Sequence, residues 1–267
     1  MTDRLKKIFS AKEQKTKLIT YFVGCHPTYA VSLAAIKSAI DNGASIIELG
    51  YPTSEASAEG PIIKAAHDRC LKNGVNLKEV IKLATEIRNY NNEVGIILMG
   101  YMANLYLYPI EKFTKDAAKA GVDGVLVVDA PHELKEENIL RAELEKNKLG
   151  LIKLISPTTT TERLEMITKL AKGFIYCVNV KGITGVKKAE KDEVTAMINK
   201  IKKFSDLPVC SGFGIKTPED AKIIAGSGCE GIVIGSTLVE EIETNLEDKK
   251  LPQIIGNKIK SFVNILN

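Results

Sequence analysis

Short apolar, β-branched runs recur along the chain at 18–23, 45–49, 94–99, 122–128, 151–155, 174–178, 207–210 and 231–234. Most are followed by a stretch with helical spacing. Strands that alternate with helices pair in parallel, because a parallel pair needs a crossover and the crossover is usually a helix. Three junctions resemble one another: Asn42-Gly43-Ala44-Ser45-Ile46, Ala120-Gly121-Val122-Asp123-Gly124 and Ser227-Gly228-Cys229-Glu230-Gly231. In each, a glycine can end a helix in the left-handed conformation just before a strand begins. This repeated unit predicts an α/β fold, a closed (β/α)8 barrel. The alternative, an open doubly wound sheet, lacks its GxGxxG fingerprint after the first strand. No linker or low-complexity tract divides the chain, so residues 1–267 read as a single barrel domain. An extra N-terminal helix, 3–12, would cover the bottom of the barrel, and a last helix, 252–266, would close its outer ring.

Composition narrows the setting. With 267 residues, 45% of them hydrophobic, the chain can bury a large core. Its net charge of +4 comes from scattered lysines, read as solvated helix faces, and no basic run interleaves with aromatics as a nucleic-acid groove would require. The N-terminus lacks the apolar centre of a signal peptide, and no run reaches transmembrane length. The five cysteines are odd in number and lack CxxC spacing, which argues against disulfides and zinc. A reducing, cytoplasmic setting follows. The histidines are far apart and offer no metal-ligand spacing: His67 reads as polar surface on a helix, whereas His26 and His132 follow strands, which makes a site role possible for each but not the favoured reading.

The candidate chemistry centres on Glu48, a carboxylate that ends an apolar run. Such an acid is seldom placed there unless paired or working, because desolvation raises its pKa and costs stability. Glu59 closes the same loop just before Gly60-Pro61 restarts a helix. Two carboxylates on one strand-to-helix loop suit general acid/base chemistry; the plainer reading is a strand-end acid paired with a lysine. In a barrel the site lies at the C-terminal ends of the strands. The last three of those ends, at Gly182-Ile183-Thr184-Gly185, Ser211-Gly212-Phe213-Gly214 and Gly235-Ser236, are glycine-rich and lack acids. Backbone N–H groups there, beside a helix starting near Ser236, predict a phosphate site.

Taken in order, Ile47-Glu48-Leu49-Gly50-Tyr51-Pro52, Ala58-Glu59-Gly60-Pro61, Leu98-Met99-Gly100-Tyr101 with Asn104, Gly121-Val122-Asp123-Gly124-Val125 leading to Asp129, Gly182-Ile183-Thr184-Gly185, Gly212-Phe213-Gly214-Ile215 and Gly235-Ser236 resemble the tryptophan synthase alpha subunit family from about residue 22 to 242. The resemblance implies retro-aldol cleavage of indole-3-glycerol phosphate to indole and glyceraldehyde 3-phosphate, with no metal or organic cofactor. It implies a partner, the pyridoxal-phosphate-dependent beta subunit, in an α2β2 complex. By the match, Glu48 is the acid/base, Glu59 accepts the indole N–H, and Tyr176 lines the site beside Glu48, although a tyrosine in an apolar strand is on its own more simply core. Thr184 would draw its loop over the substrate. Tyr101, Gly185, Gly212, Phe213, Gly214, Gly235 and Ser236 would bind substrate and phosphate.

The chain departs from the family pattern in places. Glu59 stands where Asp is usual, Thr53-Ser54-Glu55-Ala56 replaces Phe-Ser-Asp-Pro, and Cys25-His26-Pro27 replaces Gly-Asp-Pro. An arginine common after the sixth strand is not evident in Val180-Lys181. The loops at 25–27 and 53–56 are those expected to face the beta subunit. Two other readings use the same residues: a noncatalytic or weakly active regulatory partner of the beta subunit, and another phosphate-handling lyase or isomerase on the same barrel.

Overall fold

The computed structural model describes residues 2–11, 16–178, 188–212 and 214–267. The elements run α1 Asp3–Ser10, β1 Lys17–Val23, α2 Tyr29–Asp41, β2 Ile46–Gly50, α3 Pro61–Lys72, α4 Leu77–Tyr90, β3 Gly95–Gly100, α5 Met102–Leu107, α6 Ile110–Lys119 and β4 Gly124–Val127. They continue with α7 Lys135–Lys146, β5 Gly150–Ile155, α8 Thr161–Leu170, β6 Ile175–Val178, α9 Lys188–Lys202, β7 Val209–Gly212, α10 Pro218–Ala225, β8 Gly231–Ile234, α11 Ser236–Thr244 and α12 Leu251–Leu266. The strands form a closed barrel in chain order, with β1 paired in parallel to both β2 and β8. Closure excludes the doubly wound alternative.

Local chemistry explains many of the boundaries. Gly43, Gly121 and Gly228 all have positive φ, at 100°, 78° and 88°, as the three repeated junctions require. Capping boxes start α4, at Asn76 with Glu79, and α10, at Thr217 with Asp220. The expected strand at 207–210 instead spans Val209–Gly212. Pro208 has no N–H to donate to a ladder, and its carbonyl accepts from Ile175 N–H at 2.8 Å, so the strand begins one residue later.

Side-chain alternation sorts each strand between two cores. On β2, Ile47 and Leu49 point outward into the large core under the helices, while Ile46 points into the barrel. The lowest inner layer joins Ile19, Ile46, Ile97, Leu126, Ile152 and Phe174 to Leu5 of α1, which is fully buried and plugs the bottom. Asp123, just before β4, bolts that plug in place. One carboxylate oxygen accepts from Thr2 Oγ1 at 2.9 Å and from Arg4; the other accepts from Arg88 Nη2 and the Ile96 N–H, each at 2.9 Å.

The lysines do not all lie on solvated helix faces. Lys17 and Lys153 are strand residues and are buried. Lys153 Nζ pairs at 2.6 Å with Glu137, itself fully buried, and Lys17 Nζ donates to the Ala11 carbonyl at 3.0 Å. Lys153 lies on the outer face of β5, whereas Lys17 shares the inner face of β1 with Ile19 at the bottom of the barrel; in each a long stem packs while its ammonium finds an acceptor.

Candidate active site

The next inner layer up carries the candidate acid. Glu48 follows Ile46 on the inner face of β2, and its Cα partner across the ladder is Tyr21 of β1. The Glu48 side chain has no exposed surface, and neither carboxylate oxygen has a hydrogen-bond partner. Burial, reinforced by the charge of Glu59, pushes its pKa up to about 8. The lysine partner of the plainer reading is thus absent among the described residues.

Above Glu48 opens a cavity of about 690 Å³ at the C-terminal ends of the strands. Tyr21, Met99, Leu154 and Tyr176 supply much of its wall, and Glu59 and Ile63 close one side. Glu48 does not line the cavity; it sits behind Tyr21 and Tyr176, two buried phenols that both feel its charge and that of Glu59. A groove of similar size, about 670 Å³, opens on the opposite face beside Asp3, Arg141 and Lys169. That groove lies at the stability face of a barrel, away from the acid pair.

Glycines on neighbouring strands make room for the aromatic rings. A Cβ at Gly50 would lie 2.3 Å from the Tyr21 hydroxyl, and one at Gly212 would lie 2.6 Å from the Tyr176 ring. Gly212 therefore serves Tyr176 as well as the cavity lining it shares with Gly214, Gly235 and Ser236.

The loop after β2 is held from three sides. Tyr101 accepts the Ala58 N–H at 3.1 Å, Asn104 Nδ2 donates to the Pro52 carbonyl at 2.9 Å, and the Thr53 N–H donates to His67 Nδ1 at 3.3 Å. These contacts set Glu59 at the cavity rim, where burial raises its pKa to about 7 against the opposing pull of Lys64. Tyr101 thus acts on the loop rather than in the cavity lining. On the far side, Gly214, Gly235 and Ser236 face the cavity at the start of α11, a helix without a side-chain cap. Thr237 Oγ1 donates to the Ile215 carbonyl at 2.9 Å and ties the β7 loop to that helix start. Uncapped first-turn N–H groups beside two glycines can receive an anion. Thr184, Gly185 and Phe213 lie outside the described residues.

His67 is not polar surface: it is buried, and its Nε2 lies 3.4 Å from the Tyr21 hydroxyl. Its helix buries Ile63, Ala66, His67 and Cys70, so the apolar spacing of that face was the signal that placed it inside. His26 is also buried, pairing with Glu243 of α11 at 2.8 Å outside the cavity lining. His132 lies 3.3 Å from Glu133 and borders a smaller cavity of about 390 Å³ with Lys153 and Arg163. All five cysteines are free and buried, and no group of potential metal ligands occurs among the described residues. Tyr21 was missed altogether, because its ladder partner is 27 positions away and no local spacing links the two.

Comparison with known proteins agrees with this geometry. The tryptophan synthase alpha chain from Neisseria meningitidis serogroup A is 39% identical over 259 residues, covering 97% of each chain. The crystal structure of tryptophan synthase subunit alpha from Legionella pneumophila superposes with a TM-score of 0.89 at 31% identity, covering 100% of this chain and 99% of that one. A chain in the structure of Mycobacterium tuberculosis tryptophan synthase gives a TM-score of 0.87 at 26% identity over 100% of this chain and 99% of that chain. The family model described as tryptophan synthase alpha chain matches residues 9–260, and it is to this family that the chain belongs.

Proposed function

We propose that Glu48 and Glu59 carry out, in this chain, the reaction of its family. The chain is a carbon–carbon lyase of tryptophan biosynthesis that cleaves indole-3-glycerol phosphate to indole and glyceraldehyde 3-phosphate. The observation that carries the assignment is Glu48: fully buried, unpartnered and raised to about 8 beneath the cavity. Near neutral pH such an acid holds a proton that it can give to the indole ring carbon bearing the glycerol chain. The resulting carboxylate then takes the proton of the adjacent hydroxyl. As that oxygen becomes an aldehyde carbonyl, the carbon–carbon bond breaks and its electron pair returns to the ring, neutralising the ring nitrogen. Glu59 accepts the indole N–H and offsets the positive charge on the protonated ring. Tyr176 packs beside the ring, and Gly214, Gly235 and Ser236 hold the phosphate through backbone N–H groups. Thr184, Gly185 and Phe213 complete this assignment as substrate-binding positions.

The partner is the tryptophan synthase beta subunit, and the α2β2 complex is the working assembly. We read the chain as one domain that works in the cytoplasm: its five cysteines are free, and none of the described helices is long and apolar enough to cross a membrane. The direct test is indole release from indole-3-glycerol phosphate by the purified chain, alone and with the beta subunit of the same organism. Indole should appear in both, faster in the complex. No release from either, with strong stimulation of the beta reaction, would select the noncatalytic regulatory reading.

A further inference from the structure

The Tyr21 hydroxyl has one described hydrogen-bond contact, with His67 Nε2 at 3.4 Å. Which of the two groups donates follows from the other side of the imidazole. His67 Nδ1 accepts the Thr53 N–H at 3.3 Å, so that nitrogen carries no proton. Burial lowers the His67 pKa to about 4, and the neutral ring therefore keeps its single proton on Nε2. His67 donates to the Tyr21 oxygen. The phenolic proton must then point somewhere else.

The surroundings say where. Tyr21 and Glu48 are ladder partners on the inner face of β1 and β2. The tyrosine ring leans across onto β2, close enough that a Cβ at Gly50, two residues beyond Glu48, would meet its oxygen at 2.3 Å. The hydroxyl is thus held above Glu48 on the same face. Glu48 has two buried oxygens and no partner for either.

We propose that Tyr21 is a positioning residue for Glu48: with its oxygen held by His67, it donates its phenolic proton to the carboxylate that Glu48 becomes after protonating the ring. This rests on the assignment of Glu48 as the acid/base. The bond is stronger to the ionised acid than to its protonated form, so it steadies a species that exists during turnover more than the ground state. Tyr21 therefore acts on kcat more than on KM. His67 acts one step further out, by fixing which way the phenol points.

The test uses the full-length chain with the beta subunit and indole-3-glycerol phosphate as substrate. Tyr21→Phe keeps the ring and removes only the hydroxyl. It should lower kcat about 10- to 100-fold, the range of a hydrogen bond to a charged group, with KM within about threefold and the thermal midpoint unchanged. His67→Gln retains a donor toward Tyr21 and an acceptor for Thr53, and should keep most of the activity. His67→Leu retains neither and should lose most of what Tyr21→Phe loses, while adding little further loss on the Tyr21→Phe background. Wild-type kcat in Tyr21→Phe, or an equal effect of His67→Leu with and without the hydroxyl, overturns the proposal. Glu48→Gln run in parallel separates the two levels of argument. An active Glu48→Gln removes the acid/base assignment and this role with it, whereas an inactive Glu48→Gln beside a fully active Tyr21→Phe removes the Tyr21 role alone.

Discussion

Two fully buried carboxylates mark the two ends of this barrel, and they are treated in opposite ways. Asp123 at the bottom receives hydrogen bonds from Thr2, Arg4, Arg88 and the Ile96 N–H, so its charge is balanced and its lone pairs are engaged. Glu48 near the top has no partner on either oxygen and sits behind two phenols at the edge of a cavity. A saturated carboxylate holds elements together, since removing it strands its cations. An unsatisfied one costs stability and keeps its proton into the neutral range, which suits proton transfer. The difference between the two ends is therefore a division of labour between structure and chemistry.

The sharpest break of that contrast is Glu48→Gln. The amide matches the carboxyl in shape but cannot exchange the proton, so indole release should fall by about 10³-fold, roughly 4 kcal/mol in barrier. Folding should be preserved, because the change removes a group whose ionisation the fold opposes. Indole release at near the wild-type rate would withdraw the assignment.

Asp123→Ala should reverse the pattern. Leaving Arg88 and Arg4 without their acid should cost about 3–5 kcal/mol of stability, read from urea unfolding. Turnover by the folded fraction should stay within about twofold, since the substitution lies on the face away from the cavity. A stable variant with lost turnover would refute the division between the two ends.

The pH dependence of stability gives a smaller, signed effect. Glu48 binds a proton up to about 8 in the fold but only to the ordinary value of 4.5 when unfolded. Between those values the folded chain holds a proton that the unfolded chain has released, so stability must fall as pH rises. The loss from Glu48 is on the order of a few kcal/mol across the window, and Glu59 adds to it between 4.5 and about 7. From pH 5 through 6.5 to 8 the wild-type urea midpoint should fall relative to that of Glu48→Gln; His67, whose lowered pKa of about 4 acts in the opposite sense below 6.5, is common to both proteins and cancels. Parallel curves for the two proteins would show that Glu48 titrates as an ordinary carboxyl.

The smallest effect concerns the acid at the rim. Glu59→Asp shortens the reach by one methylene in a loop whose backbone is pinned at Pro52, Thr53 and Ala58 and so cannot follow the shorter side chain, and kcat should drop about tenfold. Glu59→Ala should be worse, because the charge developing on the ring loses its counterpart. A gain on Glu59→Asp would mean that the loop is shaped for the shorter acid, and equal activity in all three would remove Glu59 from the catalytic set.

Much of this was legible in the chain because it depends on neighbours in sequence. The alternation of apolar runs with helical spacing reports which face each segment buries, and the three junction glycines report a left-handed turn that other residues rarely adopt. Together they were enough for the barrel and for the layer in which Glu48 lies. The boundary at Pro208 moved because a strand starts where its ladder partner can bond, and that partner belongs to β6.

Only the tertiary structure decided which groups meet. A lysine in a strand and a glutamate in a helix read as two solvated charges until closure packs Lys153 against Glu137 in the interior. The apolar spacing of α3 can place His67 on the buried side of its helix, but only the packed fold decided that it meets Tyr21 and Thr53 there. The missing partner of Glu48 is likewise a property of the assembled barrel: its ladder neighbours are Tyr21 and Ile97, and no donor reaches either carboxylate oxygen. Local preferences propagate over a few residues and so are written along the chain, whereas hydrogen-bond partners and desolvation depend on what the fold brings within about 3–4 Å.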